Sequence, residues 1–285
     1  MPFSNRWKAP PTAGGTDPAR PTGAETWAGA PKSSALEVRI EAKRFADPSS
    51  GVERLILADV RFDLSQGELV CVIGPSGCGK STLLHLVAGL DRHFDGRVHW
   101  ASSAAGTQPR LGYVFQNPRL LPWLKVRANV GIGLEHPSRQ LERIDTMLAA
   151  MGLAEFGHFH PKRLSVGMQR RAALARAFVI EPHLLLMDEP FVSLDAPTAD
   201  QLRRLLLEVW GRQRSTVLFV THDLREATLL ADRILFLSAC PATLVEEVRV
   251  GIPRADRFDE ARVAERYAEL RLGFDRLYGN RHRQD

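Results

Sequence analysis

The 285-residue sequence predicts an α/β fold, a parallel sheet covered by helices, and three observations carry that expectation. Continuously apolar runs such as Leu69 to Ile73 and Leu184 to Met187 read as strands buried on both faces. Segments between them, such as Ser165 to Val179 and Thr198 to Trp210, read as helices. The two kinds of segment alternate along the chain, which is the pattern of strands joined by helical crossovers.

Taken in order, residues 1 to 34 are rich in Pro and Gly and lack apolar periodicity. They cannot bury enough surface to offset their ordering entropy, so a flexible tail is expected there. Leu36 to Ile40 alternates as a strand, and Glu68 to Ile73 is the first buried one. Ser81 to Leu90 places Leu83, Leu84, Val87 and Leu90 on one helix face. Further strands are predicted at Leu111 to Phe115, His183 to Met187 and Thr216 to Thr221. Between Asn117 and about Lys162 the strand signal disappears. Gln140 to Met151 reads there as a helix with Leu141, Ile144 and Leu148 on one side, the mark of an inserted helical subdomain. Near the C-terminus Val263, Tyr267, Leu270, Phe274 and Leu277 line one face of a helix despite Gly273, either docked on its own domain or offered to a partner.

Composition narrows the function classes. At 44% hydrophobic and 25% charged the chain is an ordinary globular one, and a formal charge of +5 with interspersed acidic residues gives little support to a nucleic-acid partner. Cys71, Cys78 and Cys240 are an odd number without C-x-x-C spacing, which predicts neither a disulfide framework nor a zinc site and makes a reducing compartment the default. No apolar run approaches the roughly 18 residues of a membrane span. The opening MPFSNRWKAPPTAGG has no apolar signal core, so the chain is expected to stay where it is made.

The chemistry begins at Gly74-Pro75-Ser76-Gly77-Cys78-Gly79-Lys80-Ser81, followed by Thr82, which fits G-x-x-x-x-G-K-[ST] after a buried strand and before a helix. Glycines let backbone N–H groups converge on phosphate oxygens and the helix N-terminus adds a favourable dipole. Lys80 reaches the terminal phosphates, and Ser81 can ligate Mg²⁺. The motif alone does not separate ATPases from GTPases, kinases or motors. His183 to Met187 then leads into Asp188-Glu189-Pro190 at a strand's C-terminal end, where such sheets bind ligands. Asp188 suits the magnesium shell and Glu189 the attacking water, because phosphoryl transfer is mainly positioning and charge stabilisation.

Leu164-Ser165-Val166-Gly167-Met168-Gln169, lying between these motifs, resembles the signature sequence of ABC ATPases. Gln116 in Val-Phe-Gln, Asp195 in Ser-Leu-Asp-Ala and His222 in Val-Thr-His-Asp follow in that family's order, and the likeness covers about residues 36 to 250. The resemblance implies a P-loop NTPase core of parallel strands with an antiparallel β part and a helical subdomain at about 117–170, within a domain of 35–250. A C-terminal helical extension at 251–285 follows. It also implies ATP and Mg²⁺ as ligands. Glu189, His222 and Gln116 are then catalytic, with Ser81, Gln116 and Asp188 around the metal. Phe45 stacks on adenine, unless it is a core phenylalanine. Ser165, Gly167, Gln169 and Asp195 meet the nucleotide of a second copy in a head-to-tail dimer. Ser165 at a helix start is itself an anion site that nothing nearby in the chain fills. Val166 departs from the family's usual glycine, a substitution that strains the backbone only where φ is positive.

After Gln116 the apolar loop Leu120-Leu121-Pro122-Trp123 either plugs the core or, as the resemblance implies, borders the groove that receives transmembrane permease subunits. That loop with Asn129-Val130, Glu189-Pro190-Phe191 and Ala231-Asp232-Arg233-Ile234 is similar to the nitrate, sulfonate and taurine importer group. Such kinship implies an ATPase at the cytoplasmic face of the inner membrane, linked indirectly to a solute-binding protein. The alternatives are an exporter subunit, a soluble ABC ATPase of DNA repair or translation, and a P-loop kinase. The second lacks its expected coiled coils, zinc modules or tandem cassettes, and the last has no use for the signature helix.

Overall fold

The computed structural model describes residues 34–46, 49, 51–100 and 109–278, so the predicted tail lies outside the described residues except for Ser34. In chain order come β1 (Ser34–Ala46), β2 (Glu53–Ser65), β3 (Leu69–Ile73), α1 (Lys80–Val87), β4 (Asp95–Trp100) and β5 (Leu111–Val114). Next are α2 (Val126–Gly131), α3 (Leu141–Ala150), α4 (Val166–Phe178), β6 (Leu184–Asp188) and α5 (Ala196–Gln213). The last are β7 (Thr216–Thr221), α6 (Leu224–Leu230), β8 (Arg233–Leu237), β9 (Leu244–Arg249) and α7 (Glu260–Tyr278).

One sheet has the order β5-β6-β7-β3-β8-β9, parallel except for β9, and a second, antiparallel sheet has the order β2-β1-β4. Strands β3, β6, β7 and β8 are buried along their whole length; the first three were read from their largely apolar runs, whereas β8, which opens on the buried Arg233, was not read from the sequence. Register places the site. Ile73 pairs with Thr221, Asp188 with Val220, and Val114 with Met187, so the C-terminal ends of β5, β6, β7 and β3 lie side by side. Buried side chains of the antiparallel sheet, among them Val38, Ile40, Leu57 and Leu64, share a core with α1 and with Val70 and Val72 of β3.

The structure corrects two helix faces. Helix α1 stops at Val87: Gly89 takes φ +68° and the amide of Leu90 turns back to the carbonyl of His85, leaving Leu90 exposed beyond the helix. On α3, Leu141 is exposed while Ile144, Met147 and Leu148 are buried, so the buried stripe begins one turn later than the periodicity suggested. Helix α7 docks on its own domain. Val263 and Leu270 are buried, Phe274 meets Phe236 edge-on at 6.4 Å, and the Tyr278 hydroxyl donates to the Leu237 carbonyl at 2.7 Å.

Candidate nucleotide site

The loop between β3 and α1 is shaped by its glycines. Gly79 has φ +113°, and a Cβ there would stand 2.8 Å from Ile56 Cγ2 and 2.9 Å from Leu57 Cδ2, so the antiparallel sheet closes against the loop only where no side chain intervenes. Cys78 is buried within the loop, and burial pushes its thiol up from the ordinary value. Lys80 is also buried, its ammonium donating to the carbonyls of Gly74 (2.8 Å) and Pro75 (3.0 Å), so it spans the loop that it would share with phosphate.

Beside it, Ser81 Oγ donates to Asp188 Oδ1 at 3.0 Å, joining the first turn of α1 to the end of β6. Burial, and next the charge of Glu189, raise the Asp188 carboxyl above its usual range against the pull of the Ser81 hydrogen bond. Glu189 stands just past the strand with φ +43°, a left-handed backbone unusual for a side-chain-bearing residue, held by its amide donating to Val220 O at 3.0 Å. That conformation turns its carboxylate towards β7, where Oε1 lies 3.3 Å from His222 Nδ1.

Gln116 follows β5, and its carbonyl accepts from Arg170 Nη1 at 3.0 Å. The same buried guanidinium donates to the carbonyls of Pro190 (3.0 Å) and Val192 (2.6 Å). Arg170 thus ties α4 to the loops after both β5 and β6. Sequence reading missed it. Its only signal was a basic residue among the alanines of α4, on the face that carries Gly167 and Leu174.

A second group forms where α4 and α5 begin. Ser165 caps α4, its hydroxyl accepting from the Met168 amide at 3.3 Å, and Asp195 caps α5, accepting from the Thr198 amide at 3.2 Å. A Cβ on Gly167 would stand 2.6 Å from Thr198 Cγ2, so these helix starts pack directly on each other. Gln169 turns inward, its amide donating to Leu164 O at 3.1 Å. Val166 is the first residue of α4 and 56% exposed, with right-handed backbone, so the valine sits without strain.

Phe45 is not a core residue: it is 46% exposed on β1, with the Lys43 ammonium 4.4 Å from its ring centroid. Trp123 is not a core plug either, being 70% exposed. Its loop is held from beneath by the buried Asn129 side chain, which accepts from the Leu121 amide (2.7 Å) and donates to the carbonyls of Leu121 and Leu124 (3.0 Å each).

Comparison with known proteins bears directly on this geometry. A family model described as ABC transporter matches residues 57–192. The aliphatic sulfonates import ATP-binding protein SsuB 2 of Burkholderia cenocepacia (strain HI2424) is 44% identical over 245 residues, which is 85% of this chain and 88% of that protein. The chain belongs to the ABC transporter family. Another relative of this ABC ATPase, the aliphatic sulfonates import ATP-binding protein SsuB 1 of Xanthomonas axonopodis pv. citri (strain 306), is 42% identical over 228 residues, covering 78% of this chain and 88% of that one. Among solved structures, the dimeric post-hydrolysis state of the ATP-binding cassette MJ0796 bound to ADP and Pi matches with a TM-score of 0.67 and 26% identity, covering 76% of this chain and all of that one. The ABC ATPase therefore has a P-loop cassette fold, and it binds and hydrolyses ATP. Among its described residues no helix is long and apolar enough to cross a membrane.

Proposed function

We propose that the chain is the energising subunit of an importer for aliphatic sulfonates or similar small anions, working as a dimer beneath transmembrane permease subunits at the cytoplasmic face of the membrane. A solute-binding protein would deliver the solute from the other side. The observation that carries the mechanistic part is the meeting of Ser81 with Asp188 and of Glu189 with His222 on adjacent strand ends. The solute class rests on the names of the relatives.

In this mechanism backbone amides from Gly74 to Gly79 and the α1 N-terminus receive the phosphates, Thr82 adds to that cradle, and Lys80 exchanges loop carbonyls for phosphate oxygens. The Ser81 hydroxyl and the Asp188 carboxylate are hard oxygen donors already side by side, which fits Mg²⁺, a cation that keeps most of its waters and takes few protein ligands. When bound, the metal would neutralise charge on the phosphates; Gln116 is the further candidate for its shell. Glu189 orients the attacking water, and His222 holds Glu189 and the γ-phosphate in register. Phe45, half exposed beside Lys43, is open to stack on adenine. Ser165 and Asp195, exposed at the starts of α4 and α5, would face the nucleotide of the other copy, while Gly167, packed on Thr198, and the inward-turned Gln169 would support that surface from behind; the exposed Trp123 loop would meet the permease.

The test is the solution mass, by light scattering, of the Glu189→Gln protein with Mg-ATP and with Mg-ADP. Doubling with ATP alone supports the dimer; a protein that binds ATP and remains monomeric, alone and with its permease, rejects it. Uptake of a labelled alkanesulfonate by cells with and without the gene tests the solute, and unchanged uptake rejects it.

A further inference from the structure

The contacts behind Glu189 and His222 converge on one ion pair. Arg203 of α5 is largely buried and donates through Nη2 to Glu226 Oε1 of α6 at 2.8 Å. The other oxygen of Glu226 accepts from the Thr221 hydroxyl at 2.7 Å, and the same hydroxyl accepts from the Asp223 amide at 3.1 Å. The residue between Thr221 and Asp223 is His222, so the turn that carries it is pinned on both sides by a group tied to Glu226. Asp223 is fixed again from its other end, its carboxylate capping α6 at the amides of Arg225 (2.7 Å) and Glu226 (3.3 Å).

Arg203 also reaches the opposite half of the site. Its guanidinium carbon lies 5.2 Å from the ring centroid of Phe191, a buried residue two positions after Glu189. Its Nη1 donates to Asp200 Oδ1 at 2.6 Å, which orients the fork along α5. One side chain thus lies over the Phe191 ring of the Glu189-Pro190-Phe191 turn and reaches the Thr221-His222-Asp223 turn through Glu226. The two turns leave neighbouring strands, and β6 and β7 fix where they start but not how far apart their side chains end.

We propose that Arg203 and Glu226 are positioning residues that set the separation of Glu189 and His222, and with it the orientation of the attacking water. The inference rests on Glu189 and His222 being the hydrolytic pair. The side-chain contacts of Arg203 and Glu226 are with Asp200, Thr221 and Phe191 and with each other, not with the Gly74–Ser81 loop. Their loss should therefore lower kcat and leave nucleotide affinity alone, since small misplacement of reacting groups is costly to rate.

The experiment measures kcat and KM for ATP, nucleotide affinity and thermal midpoint for the full chain with Arg203→Met, Arg203→Lys and Glu226→Gln, each alone and combined with His222→Ala. The expected result for Arg203→Met is a fall in kcat of at least about tenfold with ATP affinity unchanged, partial recovery with lysine, and little further loss on top of His222→Ala. Should Arg203→Met not fold, Glu226→Gln is expected to show the same kcat-specific loss and Arg203→Lys a smaller one, again with ATP affinity unchanged. Full activity in these variants, or losses that follow the thermal midpoint and multiply with His222→Ala, would overturn the proposal and leave the pair a purely structural bridge. If Glu189→Gln and His222→Ala themselves hydrolyse at the unsubstituted rate, the site reading fails and the inference falls with it.

Discussion

His222 Nδ1 lies 3.3 Å from Glu189 Oε1, a contact between residues on the ends of adjacent parallel strands, made possible by the left-handed backbone of Glu189. The contact restrains the Glu189 carboxylate. Replacing His222 by alanine should lower ATP turnover roughly 10²- to 10³-fold, the cost of removing one oriented polar group from a transition state. Single-turnover hydrolysis with saturating ATP checks this.

Position 166 should tolerate change. Because Val166 is exposed and already helical, Val166→Gly should leave hydrolysis unchanged and cost no more than about 1 kcal/mol of stability. Gly167 behaves oppositely: its Cβ would stand 2.6 Å from Thr198 Cγ2, so Gly167→Val should cost about 1–3 kcal/mol by overpacking the start of α4 against α5. Urea unfolding of both variants measures the contrast.

Arg170 donates three hydrogen bonds to carbonyls in two loops. Arg170→Met keeps much of the volume but leaves the buried Pro190 carbonyl unpaired, so a loss of about 1–3 kcal/mol sets the scale of destabilisation, the part-buried Gln116 and Val192 carbonyls turning to water. Faster amide exchange confined to the segments around Gln116 and Val192 would show that the guanidinium holds both loops.

Stability should also depend on acid through Asp232. Burial works to raise its carboxyl, but the hydrogen bond from Arg254 and the charge of Arg257 outweigh it and hold the group below its ordinary 3.8. A depressed folded pKa means that the contribution is complete above the unfolded value and is lost as pH falls through the folded one. Arg257 is fully buried, bonded to Asp232 and to the Leu230 carbonyl, so Asp232→Asn should cost about 3–5 kcal/mol near neutrality. The gap between the two proteins should narrow below about pH 4, readable from denaturant titrations at several pH values.

Tyr278 joins the end of α7 to the Leu237 carbonyl. Tyr278→Phe should lower the thermal midpoint by an amount equivalent to about 1 kcal/mol, measured by calorimetry, with ATP turnover preserved.

The parallel core and the phosphate loop were legible because they impose local demands. Strands buried on both faces are apolar over most of their length, as β3 and β6 are, and a loop that cradles phosphate needs glycine where φ is positive, as at Gly77 and Gly79; β8, equally buried, escaped because it is short and opens on Arg233. Strands β2 and β4 went unread because their outer faces are exposed, so their sequences mix charged and apolar residues. The same mixture hid β9.

What the sequence by itself determined is the family's motifs and their order along the chain, since each motif lies within a few residues. Only the tertiary structure decided which of them meet. Strand order β5-β6-β7-β3 brings Gln116, Asp188, Glu189, His222 and the Gly74–Ser81 loop to one edge, though they lie far apart in sequence. Nor could local sequence reveal Arg170, Arg203 and Glu226. Their significance comes from partners on other elements, and a buried charge is justified only by the groups that the fold sets around it.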